Sequence, residues 1–189
     1  MVRILRDNSI ELRKLIENLL NYSAVQFQKD SLQARPVRIR EVIDRVSADQ
    51  KLAMLAKELR LKVYCPDLTI QADGDKLRVM LDNLVSNAIK YSPRGSSILI
   101  SARERIGELV LEVVDQGPGV AGEDRRRIFE PFFTGRQAAS APVSGTGLGL
   151  AIAREHVLSH GGNIELVDDA SAGAHFKVTL PVLQARGAA

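Results

Sequence analysis

Residues 73–91 have the sequence DGDKLRVMLDNLVSNAIKY, in which apolar side chains recur with the period of an α-helix. Asp73 can accept a hydrogen bond from a free amide of the first turn, and Ser92-Pro93 prevents the helix from continuing. On a helical wheel the side chains divide between two faces. The apolar face comprises Leu77, Leu81, Leu84, Val85 and Ala88, and the polar face comprises Asn83, Asn87, Lys90 and Tyr91. The stretch therefore predicts a helix with one side in the core and the other available for chemistry.

The polar face of this helix carries two carboxamides one turn apart and an ammonium one turn further along. An amide oxygen of Asn83 or Asn87 can ligate Mg²⁺ without the repulsion that a carboxylate would add beside a polyphosphate. Lys90 can neutralise phosphate oxygens directly. Asn is common on protein surfaces, so both residues are also compatible with an ordinary solvated face. However, Asn is a poor helix former, and two of them in mid-helix call for a reason.

A second candidate segment follows a strand-like run. Val110–Val114 is rich in β-branched residues, and Asp115-Gln116-Gly117-Pro118-Gly119 comes directly after it. Glycines let a ligand approach the backbone, and a carboxylate can accept a hydrogen bond from an exocyclic amine such as that of adenine. The segment is equally compatible with a plain loop in which Asp115 caps the turn.

The stronger glycine signal is Ser144-Gly145-Thr146-Gly147-Leu148-Gly149-Leu150, which opens directly into a predicted helix. Small residues at a helix N-terminus expose backbone N–H groups to a phosphate. The segment differs from a dinucleotide fingerprint because no apolar strand precedes it, and no P-loop motif occurs in the chain. Its glycines and the polar stretch before them suggest a mobile lid over a nucleotide.

Around these segments the sequence predicts helices and paired strands without a strict β-α-β repeat. We predict helices at about 39–59, 123–129 and 147–159, strands at 61–65 and 68–71, and hairpins formed by 97–104 with 108–114 and by 163–167 with 175–180. This pattern predicts an α/β sandwich, in which one mixed sheet is covered by helices on a single face.

The first residues predict a different element. No Gly or Pro occurs from Val2 to Lys29, and Leu5, Leu12 and Leu19 recur at heptad spacing. A lone amphipathic helix has no core of its own, so we expect this one to pack on a partner helix, although packing on the rest of the chain is an alternative. We therefore divide the chain into a helix and linker at 1–34 and a second domain at 35–189.

Composition narrows the class of protein. The 189 residues are 45% hydrophobic and 26% charged, with a net charge of +3 that is spread along the chain, and only 4% are aromatic. This balance disfavours a nucleic-acid-binding protein. Cys65 is the only cysteine, no apolar run approaches the roughly 20 residues that span a bilayer, and the start lacks a signal-peptide core. We expect a cytoplasmic chain.

Together the segments resemble the ATP-binding catalytic domain of bacterial sensor histidine kinases, within the wider group that includes gyrase B and Hsp90. The resemblance covers roughly residues 37–183, and the motifs occur in the family's order. They are the N box (Asn83-Leu-Val-Ser-Asn87-Ala-Ile-Lys90-Tyr91), the first glycine box (Asp115-Gln-Gly117-Pro-Gly119), the F box (Phe129-Glu-Pro131-Phe132-Phe133) and the second glycine box (Gly145-Thr146-Gly147-Leu148-Gly149-Leu150).

The resemblance implies the Bergerat α/β sandwich and binding of ATP or ADP with Mg²⁺. It implies that Asn87 ligates the metal, that Asn83, Lys90 and Tyr91 line the phosphate and ribose side, and that Asp115 binds the adenine amine. The second glycine box would close over the phosphates. The first helix resembles the second helix of the family's dimerisation and phosphotransfer hairpin.

Two departures from the family pattern matter. Hydrolytic relatives have a Glu one turn before the metal-binding Asn, whereas this chain has Asn83, so the general base for hydrolysis is absent. No histidine matches the phosphate acceptor, because His156 and His160 follow the second glycine box and His175 lies in the last predicted hairpin. The spacing of His156 and His160 also permits a metal pair, but no third ligand is evident.

These observations lead to one preferred function and two alternatives. The preferred function is a histidine kinase domain that binds Mg²⁺-ATP and transfers phosphate to a histidine on an acceptor helix of the same or a partner chain, and thence to a response-regulator receiver domain. The first alternative is a non-catalytic module for dimerisation or regulator docking, in which nucleotide is a conformational switch. The second is a clamp-type ATPase. The apolar stripe of the first helix predicts a homodimer.

Overall fold

The computed structural model describes residues 16, 19, 20, 23, 32–135, 145–168 and 173–182, and residues 32–182 of this part contain seven strands and four helices. The strands are β1 (Arg35–Arg38), β2 (Arg60–Tyr64), β3 (Thr69–Ala72), β4 (Ser97–Arg105), β5 (Glu108–Val114), β6 (Asn163–Leu166) and β7 (His175–Pro181). The helices are α1 (Ile39–Asp49), α2 (Lys51–Ala56), α3 (Gly74–Tyr91) and α4 (Gly149–Ser159).

The main sheet has five strands in the order β2-β4-β5-β7-β6. β2 runs parallel to β4, and the other neighbours are antiparallel, so the predicted mixed sheet and both predicted hairpins are confirmed. β1 and β3 form a separate antiparallel pair. The two predicted strands on either side of Pro66 therefore belong to different sheets.

Helix α3 lies at the centre of the core. The Asp73 carboxylate accepts a hydrogen bond of 3.1 Å from the Lys76 N–H and so caps the first turn, as the sequence predicts. One side of the helix is buried, and its members are Leu77, Met80, Leu81, Leu84, Val85, Ala88 and Ile89. They join the inward side chains of β5 and β7 in a single core, in which each buried aliphatic side chain contributes about 1.5–3 kcal/mol.

Two predicted helices differ from the observed structure. The one predicted at 39–59 is broken at Gln50 into α1 and α2. Residues 123–129 form consecutive hydrogen-bonded turns instead of a helix. Gly122 and Pro131 leave a segment too short to offset helix nucleation, and Pro131 disfavours helical geometry in the residue before it.

Strand β1 was not predicted, because Pro36 lacks a backbone N–H and so disfavours a strand. The structure tolerates the proline because β1 lies at the edge of a sheet of only two strands.

The helix predicted at the start of the chain falls mostly outside the described residues. Ile16, Leu19 and Leu20 are described, are helical, and are at least half exposed. Its partner and the domain boundary at residue 34 remain predictions. None of the helices in the described part of the chain has the length and apolar character that a bilayer crossing requires.

Candidate functional site

A cavity of about 600 Å³ lies between the polar face of α3 and the two glycine turns. Asn83, Asn87, Lys90 and Tyr91 line it from α3, and Asp115 and Gly119 line it from the segment after β5. Gly145, Thr146, Gly147, Gly149 and Leu150 line it from the second glycine turn. Three segments that are distant in sequence therefore meet around one space.

The two asparagines of α3 have different surroundings. The Asn83 side chain donates from Nδ2 to the Val79 carbonyl at 2.8 Å, one turn earlier. Its Oδ1 faces the first residue of α4, since a Cβ placed on Gly149 would lie 2.8 Å from that oxygen. Asn87 is half-buried and makes no hydrogen bond to any residue in the described ranges. Of the two asparagines, Asn87 therefore has the amide that is left available to a ligand.

Lys90 connects the end of α3 to the second glycine turn. Its Nζ lies 4.8 Å from the centroid of the Tyr91 ring, which is within range of a cation–π interaction. The same Nζ lies against Gly145, where a Cβ would require the lysine side chain to move. The ammonium therefore lies where the glycine turn begins.

Asp115 is almost fully buried, at 4% exposure. Its Oδ1 accepts hydrogen bonds from the N–H groups of Gly117 (2.7 Å) and Ala174 (3.0 Å). Burial raises the pKa of Asp115, and the two backbone hydrogen bonds partly oppose that rise. Because both bonds go to Oδ1, Oδ2 has no partner among the described residues and remains able to accept one at the cavity.

Gly117 supports this arrangement without lining the cavity. It is buried, and a Cβ at this position would lie 2.9 Å from the Tyr91 carbonyl oxygen. The absence of a side chain therefore lets the first glycine turn pack against the end of α3. Gly119, which does line the cavity, has φ +72°, a conformation that favours glycine.

The second glycine turn leads into the N-terminus of α4. Gly147 has φ +68°, and a Cβ there would lie 2.6 Å from the Phe132 carbonyl carbon. Leu148 is 1% exposed and is not among the residues lining the cavity. Its N–H donates to the Thr146 hydroxyl at 3.2 Å. Leu148 therefore anchors the turn in the core while the neighbouring glycines face the cavity.

The three phenylalanines of the F box occupy different environments. Phe129 packs edge-to-face on Phe176, with ring centroids 6.3 Å apart. Phe133 lines the cavity, with the Arg127 guanidinium 4.4 Å from its ring centroid. Phe132 is 61% exposed. The segment thus combines a core anchor, a cavity wall and a surface residue.

Two charged residues of the cavity were not identified from the sequence. Asp124 is 8% exposed and lies against Gly135 at the cavity wall. Lys57 lines the cavity from the end of α2. Neither belongs to a recognisable motif, and both reach the site only through tertiary packing.

The possible metal pair of His156 and His160 is not supported. His160 Nδ1 lies 2.7 Å from the His156 carbonyl oxygen, and its Nε2 accepts a hydrogen bond of 3.0 Å from the Asp73 N–H. Both ring nitrogens are therefore used within the protein. Among the described residues, no group of three or more His, Cys, Asp or Glu side chains could hold a metal ion.

The chain matches the family model of histidine kinase-, DNA gyrase B- and HSP90-like ATPases over residues 72–184. The sensor-like histidine kinase SenX3 of Mycobacterium bovis is 34% identical over 173 residues, which cover 91% of this chain and 42% of SenX3. The chain spans less than half the length of the curated relatives it matches, from 19% to 45% of each.

Solved structures agree with this match. Full-length ShkA in complex with AMPPNP superposes with a TM-score of 0.83 at 29% identity, covering 97% of this chain and 38% of that one. The histidine kinase ThkA in complex with the response regulator TrrA gives a TM-score of 0.77 at 24% identity, covering 96% and 50% of the two chains. At that identity the second likeness supports the fold alone.

The family match includes α3 and both glycine turns, which form most of the cavity wall. The fold, the relatives and the sequence motifs all indicate the same group of proteins. The chain therefore belongs to the family of histidine kinase-, DNA gyrase B- and HSP90-like ATPases.

Proposed function

We propose that this cavity binds ATP or ADP together with Mg²⁺, and that the parent protein transfers the γ-phosphate to a histidine outside these 189 residues. The observation that carries the proposal is the meeting of three groups around one cavity: the polar face of α3, the Asp115 carboxylate and the second glycine turn. AMPPNP in the structure of the relative ShkA supports the nucleotide class.

The purine end of the proposed site is Asp115. Its Oδ1 is held by two backbone N–H groups, which fixes the carboxylate plane and leaves Oδ2 to accept from an exocyclic amine. Adenine carries such an amine, whereas guanine presents a carbonyl at the equivalent ring position. A buried, oriented acceptor therefore favours adenine nucleotides.

The phosphate end is formed by Lys90 and the start of α4. Lys90 supplies a positive charge beside Gly145, and the N-terminus of an 11-residue helix supplies free backbone N–H groups. The glycines at 145, 147 and 149 line the cavity and carry no side chain that would separate these amides from a phosphate.

Asn87 is the residue that would hold Mg²⁺. The half-buried amide lines the cavity and makes no hydrogen bond in the described part of the chain, which is the condition expected of a vacant neutral oxygen ligand. The Asn87 amide oxygen would bind Mg²⁺ together with phosphate oxygens and water, which are the hard ligands that this ion prefers. The metal would neutralise charge on the phosphates during transfer.

Asn83 makes transfer to a protein group more favourable than hydrolysis. Its amide is neutral and its Nδ2 is bound to the Val79 carbonyl, so it cannot abstract a proton from water. His156 and His160 are buried in the core, which excludes them as acceptors on the folded domain, and His175 lies in β7 and matches no acceptor motif. We therefore expect slow ATP turnover and no self-phosphorylation by this chain.

Titration calorimetry tests the proposal. We expect ADP with Mg²⁺ to bind in a one-to-one complex, chelation of the metal to weaken binding, and GDP to bind at least about tenfold more weakly than ADP. If neither ADP nor ATP gave detectable heat of binding, the proposal would be overturned and the non-catalytic docking module would be favoured. Incubation with γ-labelled ATP is the second test, and acid-labile label on this chain would contradict the absence of an acceptor.

Partners and location are part of the same proposal. The parent would pass phosphate to a response-regulator receiver domain, as the resemblance to sensor histidine kinases implies, and would act in the cytoplasm. The apolar stripe at 2–29 would form a homodimer by pairing with its copy. Light scattering that gives a strict monomer at high concentration would contradict the dimer.

A further inference from the structure

Lys57 follows α2 directly, and its ammonium lies at the C-terminal end of α3. The Nζ donates hydrogen bonds to the carbonyl oxygens of Ile89 (2.8 Å), Lys90 (2.7 Å) and Ser92 (3.1 Å). The last carbonyls of a helix have no partners within the helix and carry its negative dipole end. A cation that binds two of them and the carbonyl of Ser92, the first residue after the helix, therefore stabilises this end.

The three hydrogen bonds use every donor of the ammonium group. Lys57 lines the same cavity as Lys90, but it has no donor left for a phosphate. Its contribution to a ligand must therefore pass through the helix end that it binds.

The chain around Lys57 is fixed to the same end of α3 by further contacts. The Gly95 N–H donates to the Lys57 carbonyl at 2.9 Å. The Arg94 guanidinium donates to the Ala56 carbonyl at 3.1 Å and pairs with Glu58 at 2.6 Å. The end of α2 and the turn after α3 are thus joined from both directions.

The helix end that Lys57 holds is the one that touches both glycine turns. Lys90 offers its carbonyl to Lys57 and its ammonium to the Gly145 side of the cavity. The Tyr91 carbonyl lies against Gly117 of the first turn. A shift of this last turn would displace the Lys90 ammonium from the phosphate end and loosen the packing of the first turn together.

We propose that Lys57 is a positioning residue of the nucleotide site, which fixes the last turn of α3 so that Lys90 meets the phosphates. This inference rests on the proposed nucleotide-binding function. It assigns to Lys57 an effect on phosphate binding that depends on the Lys90 side chain.

A double-mutant cycle on the whole chain tests the inference, with dissociation constants for Mg²⁺-ADP measured by calorimetry. We expect Lys57→Met to weaken ADP binding about tenfold, because a charged hydrogen-bonding group is lost from the helix end. Lys51→Met is the matched control, since Lys51 is exposed on α2 and does not line the cavity, and it should leave the affinity unchanged.

The decisive comparison uses Lys90→Met and the double variant. If Lys57 acts mainly by placing Lys90, Lys57→Met weakens ADP binding much less beside Lys90→Met than on its own, because the effects of interacting residues are not additive. If the fold-losses of ADP affinity in the two single variants multiply in the double variant, the inference is wrong and Lys57 has a structural role only.

Lys57→Arg covers the case in which Lys57→Met fails to fold. A planar guanidinium keeps the charge but cannot direct donors to three converging carbonyls, so we expect Lys57→Arg to weaken ADP binding about threefold. This loss should again be much smaller when Lys90→Met is also present. If the unaltered chain binds no ADP, the proposed function fails. If it binds ADP and all Lys57 variants equal Lys51→Met, only the present inference fails.

Discussion

Two pairs of polar side chains are spaced four residues apart on helices of this domain, His156 with His160 on and just after α4, and Asn83 with Asn87 on α3. His160 uses both ring nitrogens for backbone hydrogen bonds. Asn87 uses neither of its amide atoms within the described residues, and it faces the cavity. Identical spacing therefore accompanies a structural role in one pair and a proposed binding role in the other. What separates them is the hydrogen bonds that the protein itself supplies.

The two pairs also lie at opposite ends of one helix–helix contact. His160 joins the end of α4 to the N–H of Asp73 at the start of α3. Asn83 faces Gly149 at the start of α4. The helices are tied by the imidazole at one end and remain open around the cavity at the other.

The largest effect should come from breaking the tied end. We expect His160→Ala to lower the free energy of unfolding by about 4 kcal/mol, since it opens a cavity and leaves the buried Asp73 N–H unpaired. Urea denaturation measures the change, with Leu158→Ala as a control at a half-exposed position nearby. The affinity of the folded fraction for ADP should not change. If His160→Ala were as stable as Leu158→Ala, the structural role assigned to His160 would be wrong.

Acidification tests the same end without mutation. Burial lowers the pKa of His156 from 6.5 to about 4, so the folded state resists a proton that the unfolded state accepts. The contribution of His156 to the free energy of unfolding is therefore fully present above pH 6.5. It falls by about 3 kcal/mol as the pH decreases toward about 4. Denaturation at several pH values measures the slope.

The control for the pH experiment is His156→Leu, which removes the titrating group and fills a similar volume. The Nδ1 of His156 is buried without a hydrogen-bond partner in the described part of the chain, so its loss should do little harm at pH 7. The variant should lose much of the pH dependence. An unchanged slope would assign the acid sensitivity to other groups.

Changing the open end should affect binding instead of stability. We expect Asn87→Ala to weaken Mg²⁺-ADP binding about 50-fold and to leave the melting temperature almost unchanged, because the amide bonds to no described residue. Asn163→Ala, at an exposed position on β6, is the control. Without Mg²⁺ the difference from the unaltered chain should largely disappear. An equal loss with and without the metal would contradict the role of Asn87 as its ligand.

The smallest expected effect concerns the turn beside Lys57. Glu58 has φ +55°, a left-handed conformation that disfavours residues with a Cβ. Glu58→Gly and Glu58→Ala both remove the ion pair with Arg94, so their difference isolates the backbone. We expect the glycine variant to be more stable by about 1 kcal/mol in thermal denaturation. Equal stability would mean that the turn relaxes in the alanine variant.

The sequence predicts the fold and the cavity walls wherever the signal is local. The faces of α3, the hairpins of the sheet and the glycines at 145, 147 and 149 each follow from a few neighbouring residues, and the structure gathers them as expected. The sequence does not show that Leu148 packs in the core instead of lining the cavity, because it lies within a turn of small residues that do line it.

The features that the sequence misses depend on contacts between distant residues. Lys57 resembles any lysine at the end of a helix until residues 89–92 are brought against it. His160 differs from a metal ligand only because Asp73, 87 residues earlier, occupies its second nitrogen. The short strand β1 could not be predicted, because Pro36 disfavours a strand in the sequence. The roles of the proposed site residues in ligand binding remain predictions.

The position of β5 beside β7 has a consequence for how much the binding segment can vary in length. Val114 pairs with His175, and the Asp115 N–H donates to the Ala174 carbonyl at 3.0 Å, so the two ends of residues 115–174 are fixed next to each other by the sheet. Doubling the length of a loop with fixed ends costs only about 0.6 kcal/mol in closure entropy. Added chain between these strands therefore costs the domain little in closure entropy, provided that α4 and β6, which supply part of the core, stay intact.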